Sequence, residues 1–354
     1  MTELLVGTKK GLFALEGEPG SEFEVTCRAF AGEPIDFAMR DPASGRVIAA
    51  STSPFYGPKI WLTEDPAGEW TQAEGIALPE GGEEALQRIW LIVAGDDGNL
   101  YAGGDPGVLF ESRDGGRTWE LNRALRKHRL DDDWQPGGGG LCLHSIVPWP
   151  GEPDRLAVAV SAAGVWLTDD HGETWRRGNQ GILARYLPEE AREGSSQLCV
   201  HRMERAERNP QRMFIQFHGG VYRSDDAGQS WNEIGSGLPS DFGFPLALDP
   251  GDPDSAYVIP LTGDFDRVTP DGRVRVYETR DAGASWTPRG EGLPAEEAYL
   301  TVLRRAFDRT GEGSSMQMYF GATSGDVFGS GDAGGTWFTA ATRLPPVFSV
   351  TASP

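Results

Sequence analysis

The chain has 354 residues, enough for a large core in one or two domains, and a formal net charge of −21. So acidic a chain repels nucleic acid and anionic lipid, and neither is expected as a partner. With 48 glycines, 25 prolines, 11 tryptophans and 16 phenylalanines, and few long helical patterns, it reads as many short strands joined by tight turns. Three cysteines, Cys27, Cys142 and Cys199, make no disulfide framework. The N-terminus MTELLVGTKKGLFALEGEPG lacks a basic segment followed by a long apolar run, and no apolar stretch is long enough to span a membrane. A cytoplasmic protein without membrane insertion is therefore expected.

The first predicted element is strand, short Gly turn and strand in LLVGTKKGLFAL (4–15). The pattern returns at 47–63 and is followed there by the octapeptide TEDPAGEW (63–70). LYAGGDPGVLFES then precedes SRDGGRTW (112–119), and LAVAVSAAGVWLT precedes TDDHGETW (168–175). MFIQFHGGVYRS precedes SDDAGQSW (224–231). Residues 256–279, with a long insertion, precede TRDAGASW (279–286), and MYFGATSGDVFGS precedes SGDAGGTW (330–337). Trp70, Trp119, Trp175, Trp231, Trp286 and Trp337 close these octapeptides at intervals of 49, 56, 56, 55 and 51. A period near fifty marks one supersecondary unit repeated. Each octapeptide is followed by a short strand, a loop and an apolar strand. Seven units of four strands predict an all-β chain folded as one seven-bladed β-propeller over residues 1–354. PVFSVTAS (346–353) reads as an innermost strand with no blade of its own, expected to join the N-terminal strands and close the first blade.

The octapeptide, Ser/Thr-x-Asp-x-Gly-x-Thr/Ser-Trp, resembles the Asp box, or BNR repeat, of the sialidase-like superfamily of propellers, which includes glycosyl hydrolase-like proteins. Its chemistry is that of a turn. Asp65, Asp114, Asp170, Asp226, Asp281 and Asp332 can accept bonds from N–H groups of their own turns, and the Gly two residues on can take positive φ. The hydroxyls satisfy further local groups, and each Trp offers an apolar face to bury between blades. These residues are read as structural, and His171, at a variable box position, as exposed. The box joins the third and fourth strands, so it lies at the end of each blade opposite the face that holds the active site in related propellers. Sialidases carry an arginine triad, an early Arg-Ile-Pro segment and a Tyr/Glu pair. EPIDFAMRDP (33–42) is the nearest stretch and does not match, so no sialidase residue carries over. The chain also resembles propellers that assist photosystem assembly, without showing a long arginine stripe.

Function is expected where the repeats depart from their own rule. Aligning the units sets His144 over His201, with Phe244 and Trp90 at the matching positions. Two long loops, 121–143 and 176–200, overhang the fourth and fifth blades, and the insertion 261–274 and His218 lie on the same face. The carboxylates there, Asp131, Asp132, Asp133, Glu189, Glu190, Asp264 and Asp266, are the candidate acids and nucleophiles of a glycosidase-type pair. Trp90, Trp134, Tyr186, His144, His201 and His218 are candidate ligand contacts, with Arg126, Arg185, Arg202 and Arg267 available for an acidic group. Cys142, His144, Cys199 and His201, with His218, could also bind a divalent metal of zinc type. In the alternative the cysteines are packing and the histidines line a wet channel. No other cofactor is expected. The function expected is binding or hydrolysis of a small polar, carbohydrate-like ligand in a top-face pocket over blades 4–6. The alternatives are a non-catalytic scaffold for a protein partner and a His-dependent metalloenzyme in the same pocket.

Overall fold

The computed structural model describes every residue except Glu80, Gly82, Glu83, Asp133 and Asp264. Among the described residues it holds five antiparallel four-stranded sheets and one eight-stranded sheet. The four-stranded sheets begin at Ile35–Arg40, Arg88–Ala94, Cys142–Trp149, Val200–Arg205 and Gly243–Leu248, and each continues in chain order to a short outer strand. These first strands touch one another in turn. Val302–Thr310 follows, and then Val347–Ser353, which returns to Ile35–Arg40, so the strands close a ring and the fold is a β-propeller. Neighbouring sheets cover both faces of each sheet, which is why a strand such as Glu152–Ser161 runs LAVAV without polar alternation, each of these five residues at most 2% exposed.

The closure differs from the expected one. Val347–Ser353 pairs antiparallel with Thr2–Thr8, but it also bridges Val302–Thr310 in parallel at Arg305↔Ser349. The terminal strands therefore belong to a continuous eight-stranded sheet. The cause lies in Val302–Thr310, where the residues between Val302 and Phe307 oppose only Gly321 on the next strand; this bulged backbone is the one that reaches Ser349.

The octapeptides build one turn five times over. Ser112 Oγ donates to Asp114 Oδ1 at 2.9 Å and accepts from the Gly116 amide at 2.9 Å. Thr118 donates its amide (2.9 Å) and hydroxyl (2.7 Å) to the two Asp114 oxygens. The same bonds recur around Asp170, Asp226, Asp281 and Asp332. The hydroxyls of Thr174 and Ser285, followed by their amides, hold the Asp170 and Asp281 carboxyls down at about 2. At Thr63–Trp70 the turn is looser: the Asp65 carboxylate accepts from the Ala67 amide, and Thr63 donates to the Asp65 carbonyl. Positive φ falls on Gly116, Gly172, Gly228, Gly283 and Gly334, as read from the sequence, and also on the residue before each, including His171 at 58°. His171 is half-buried against Glu111 Oε1 (2.9 Å) rather than simply exposed.

The tryptophans join neighbouring sheets. Trp119, Trp175, Trp231 and Trp337 are buried, and the Trp231 and Trp286 indoles donate to the Gly178 and Ile234 carbonyls of the preceding sheet. Parallel bridges Glu74↔Thr118, Gln180↔Ser230 and Glu291↔Thr336 add a backbone link. The residue after each bridge is Gly75, Gly181 or Gly292. A Cβ there would lie 2.1, 2.3 or 2.0 Å from the carbonyl oxygen of the neighbouring box Trp, so glycine is what lets the blades close together.

Candidate ligand site at the channel mouth

Each first strand slips register near its start. The skipped residues are Asp36, Trp90, His144 and His201, then Phe244 with Pro245, the stretch 303–306, and Phe348. A bulge re-aims the side chain it carries. The equivalence of Trp90, His144, His201 and Phe244 seen in the sequence is therefore an equivalence of bulges. Because the strands alternate in direction, these bulges lie at the end of the ring opposite the octapeptide turns.

A cavity of about 270 Å³ opens among Asp36, Arg88, Trp90, Gly139, Arg267, Leu303, Arg304, Arg305 and Phe348. Among the described residues, four guanidinium groups face one carboxylate. Asp36 is 5% exposed; it accepts from Thr52 Oγ1 at 2.5 Å and pairs with Arg88 Nε at 3.2 Å. Burial raises its carboxyl above the ordinary range, while Arg88 and Thr52 pull the other way. Aromatic faces separate the cations: Arg88 lies 4.7 Å and Arg304 5.6 Å from the Trp90 ring centre, and Arg304 and Arg267 lie 4.6 and 5.5 Å from Phe244. Burial, with Arg202 nearby, pushes Arg305 down to about 9, still protonated at neutral pH. Three buried donors of this wall, Trp90 Nε1, Arg304 Nε and Arg305 Nε, meet no acceptor. The mouth is thus a locally cationic, donor-rich pocket in a chain of opposite net charge.

Two of the larger clefts differ from it chemically. One of about 530 Å³, at the other end of the channel, sets Arg202, Arg205, Arg305 and Arg309 against Asp96, Glu204, Glu207 and Asp308, so its charges balance. The other, of about 540 Å³, is an open shelf on the octapeptide face beside Asp114 and Arg117.

The histidines divide into two environments. His144 is fully buried. Its Nε2 donates to the Val200 carbonyl at 2.6 Å, and Nδ1 lies 3.1 Å from Ser145 Oγ, so both nitrogens are engaged. Burial and then Arg304 hold it well below its usual range and therefore neutral. Cys142 donates to the Gly139 carbonyl at 3.1 Å, and burial pushes its thiol up to about 12. Cys199, His201 and His218 form a separate group whose donor atoms lie within 4.8 Å of one another. His201 Nδ1 donates to the Gly243 carbonyl at 2.6 Å, leaving Nε2 facing Cys199 Sγ at 3.5 Å.

The other residues singled out from the sequence are spread over the surface and the core. Loop 121–143 contains the α-helix Arg123–Asp131, capped by Asn122 Oδ1 accepting from the Leu125 amide at 2.8 Å. Asp131, at its end, pairs with Lys127, and Asp132 with Arg177 at 3.0 Å. Glu189 and Glu190 stand exposed in a 3₁₀ turn, and Asp266 accepts from Thr262 at 3.1 Å. Asp133 and Asp264 lie outside the described residues. Trp134 is buried against Trp166 with ring centres 4.9 Å apart. The Tyr186 hydroxyl bonds the Gln197 carbonyl and the Cys199 amide. Arg126 lies on the helix, Arg185 pairs with Glu233, and Arg202 with Glu204. Of these residues, Trp90 and Arg267 line the mouth cavity. Asp36, Arg88, Arg304, Arg305 and Phe348 were not singled out; the signal of the four charged residues is an Asp or Arg inside strand-forming apolar segments, EPIDF, LQRIWL and TVLRRAF.

Among the described residues, no helix is long and apolar enough to cross a membrane. No protein-family model matches the chain. A curated relative, the photosystem II assembly lipoprotein Ycf48 of Synechococcus sp. (strain CC9902), is 26% identical over 142 residues, which are 40% of this chain and 35% of that protein. Among solved structures, a putative 6-phosphogluconolactonase from Bacteroides uniformis superposes with a TM-score of 0.61 at 12% identity, covering 99% of each chain. An ancestral GH74 enzyme gives 0.56 at 14% identity, over 100% of this chain and 40% of that one. Ycf48 bound to D1 peptide gives 0.50 at 15% identity, over 96% of this chain and 88% of that one. At these identities the structures share the propeller fold with this chain.

Proposed function

We propose that the chain is a single seven-bladed propeller of Asp-box type that binds a small anionic ligand, a sugar acid or a phosphorylated sugar, at its channel mouth. The eight-stranded sheet is counted as two blades. The observation that carries this reading is the lining of the cavity: among the described residues, four arginines against one carboxylate. Arginine forks match carboxylate and phosphate oxygens, and a compact anion supplies acceptors to such donors. The volume, about 270 Å³, lies near the lower end of ligand sites and favours a monosaccharide-sized molecule over an oligosaccharide. Trp90 and Phe348 offer apolar faces to the carbon skeleton. Hydrolysis at this site would use Asp36, the cavity group whose burial favours keeping a proton.

A thermal-shift panel of carboxylated, phosphorylated and neutral monosaccharides tests this. Anionic members should raise the unfolding temperature, and Arg88→Gln should abolish the shift. Equal shifts from neutral sugars would refute it.

A second reading, a scaffold for a protein partner, is supported by the likeness to Ycf48 and by three exposed aromatic side chains, Phe55, Tyr56 and Phe265. Peptide binding lost in Phe265→Ala but kept in Arg88→Gln would favour it.

A further inference from the structure

We infer that Cys199, His201 and His218 form a binding site for a zinc-type divalent cation, supplying three ligands from among the described residues. The distances carry it. In a tetrahedral zinc site with Zn–N near 2.0–2.1 Å and Zn–S near 2.3 Å, ligand atoms stand about 3.5 Å apart. Cys199 Sγ and His201 Nε2 are already 3.5 Å apart, and all three donor atoms fall within 4.8 Å. Small rotations about side-chain bonds close the remainder.

The frame around the three residues is fixed. The His218 amide donates to the Cys199 carbonyl at 3.0 Å, which locks the two segments together. The Cys199 amide is held by the Tyr186 hydroxyl at 3.0 Å. His201 gives its Nδ1 proton to the Gly243 carbonyl, and this is how a ligating imidazole is oriented: one nitrogen on a backbone acceptor, the other turned to the metal. The bulge at His201 turns its side chain out of the regular ladder, so the sheet itself positions the ligand. The rings of Tyr186, Phe242 and Phe244 stand 4.7–5.2 Å from the histidine rings and pack against the group, in which His201 is buried and Cys199 and His218 are half-buried.

The donor set selects the ion. One thiolate and two imidazoles suit zinc and its cobalt substitute, whereas magnesium and calcium require oxygen ligands. Binding converts the Cys199 thiol to thiolate and releases its proton to solvent, so affinity falls as pH falls. Cys142 and His144, which share the Cys-x-His spacing, stay outside the site because both are engaged elsewhere.

The test is a cobalt(II) titration of the full chain after chelator treatment. One equivalent should give the visible bands of a tetrahedral site with near-ultraviolet thiolate-to-cobalt charge transfer, displaced by one equivalent of zinc. Cys199→Ser should remove the charge transfer, and Cys142→Ser should retain it. His218→Ala should weaken binding by more than the roughly 10–100-fold typical of changes beyond the ligands themselves. No charge transfer in the wild type, or charge transfer that survives Cys199→Ser, overturns the inference. Should Cys199→Ser fail to fold, alkylation of the wild type decides: zinc must protect Cys199 selectively, and labelling unchanged by zinc refutes the site.

Discussion

Gly181→Ala probes how one blade is fastened to the next. Gly181 has φ of 86°, and an added Cβ would sit 2.3 Å from the Trp231 carbonyl oxygen on the neighbouring sheet. Placing alanine in left-handed backbone costs about 1–2 kcal/mol. The lower entropy of the unfolded alanine chain returns about 0.4–1 kcal/mol. Forcing a close backbone contact apart adds about 1–3 kcal/mol. The net loss is about 2–4 kcal/mol. Gly237 supplies the control: its φ is 94°, and a Cβ added there would meet nothing within 4 Å, so Gly237→Ala carries only the backbone cost, about 1 kcal/mol. Urea unfolding followed by tryptophan fluorescence measures both, and the midpoints should separate with slopes unchanged. If the two variants lose the same stability within about 0.5 kcal/mol, the inter-blade contact at the box Trp does not carry the role given to it.

The octapeptide carboxyls predict an acid response. Asp170 and Asp281 sit at about 2, below their unfolded values, so they stabilise the fold above the ordinary carboxyl range and lose that contribution as pH falls toward 2. An Asp170→Asn/Asp281→Asn double variant should show a flatter stability profile between about pH 4 and 2, and an unchanged profile would contradict the turn chemistry. His171→Gly should cost less than about 1 kcal/mol in urea unfolding, because relief of its positive φ offsets the lost Glu111 contact. Cys142, buried with its thiol at about 12, should resist iodoacetamide at pH 8 in the native protein, and rapid labelling mapped by peptide mass would refute its placement.

Much of the architecture was legible because each repeat carries its own turn. Ser112, Asp114, Gly116 and Thr118 bond to one another within a single turn, so their spacing encodes their geometry. The common position of Trp90, His144, His201 and Phe244 could also be read, since each sits at the start of a first strand. The mouth cavity could not be assembled in the same way. Asp36 and Phe348 are far apart in the chain and meet only because the ring closes, and Arg304 owes its place to a bulge that no spacing announces. Net charge was equally silent: the negative total is a property of the whole surface, while the cationic mouth depends on arginines brought together from three separate segments, at Arg88, at Arg267 and at the adjoining Arg304 and Arg305. The loop that reads as an overhang holds a helix because Asn122 caps it and Leu125 finds a buried place.

Anion recognition at the channel mouth is the central claim. Isothermal titration of the strongest anionic sugar from the thermal-shift panel, into wild type and into Arg88→Gln/Arg267→Gln, tests it most directly. The expected result is one site per chain, affinity that falls with added salt, and at least a tenfold loss in the double variant, which is about 1.4 kcal/mol. Binding of equal strength in both proteins would contradict it.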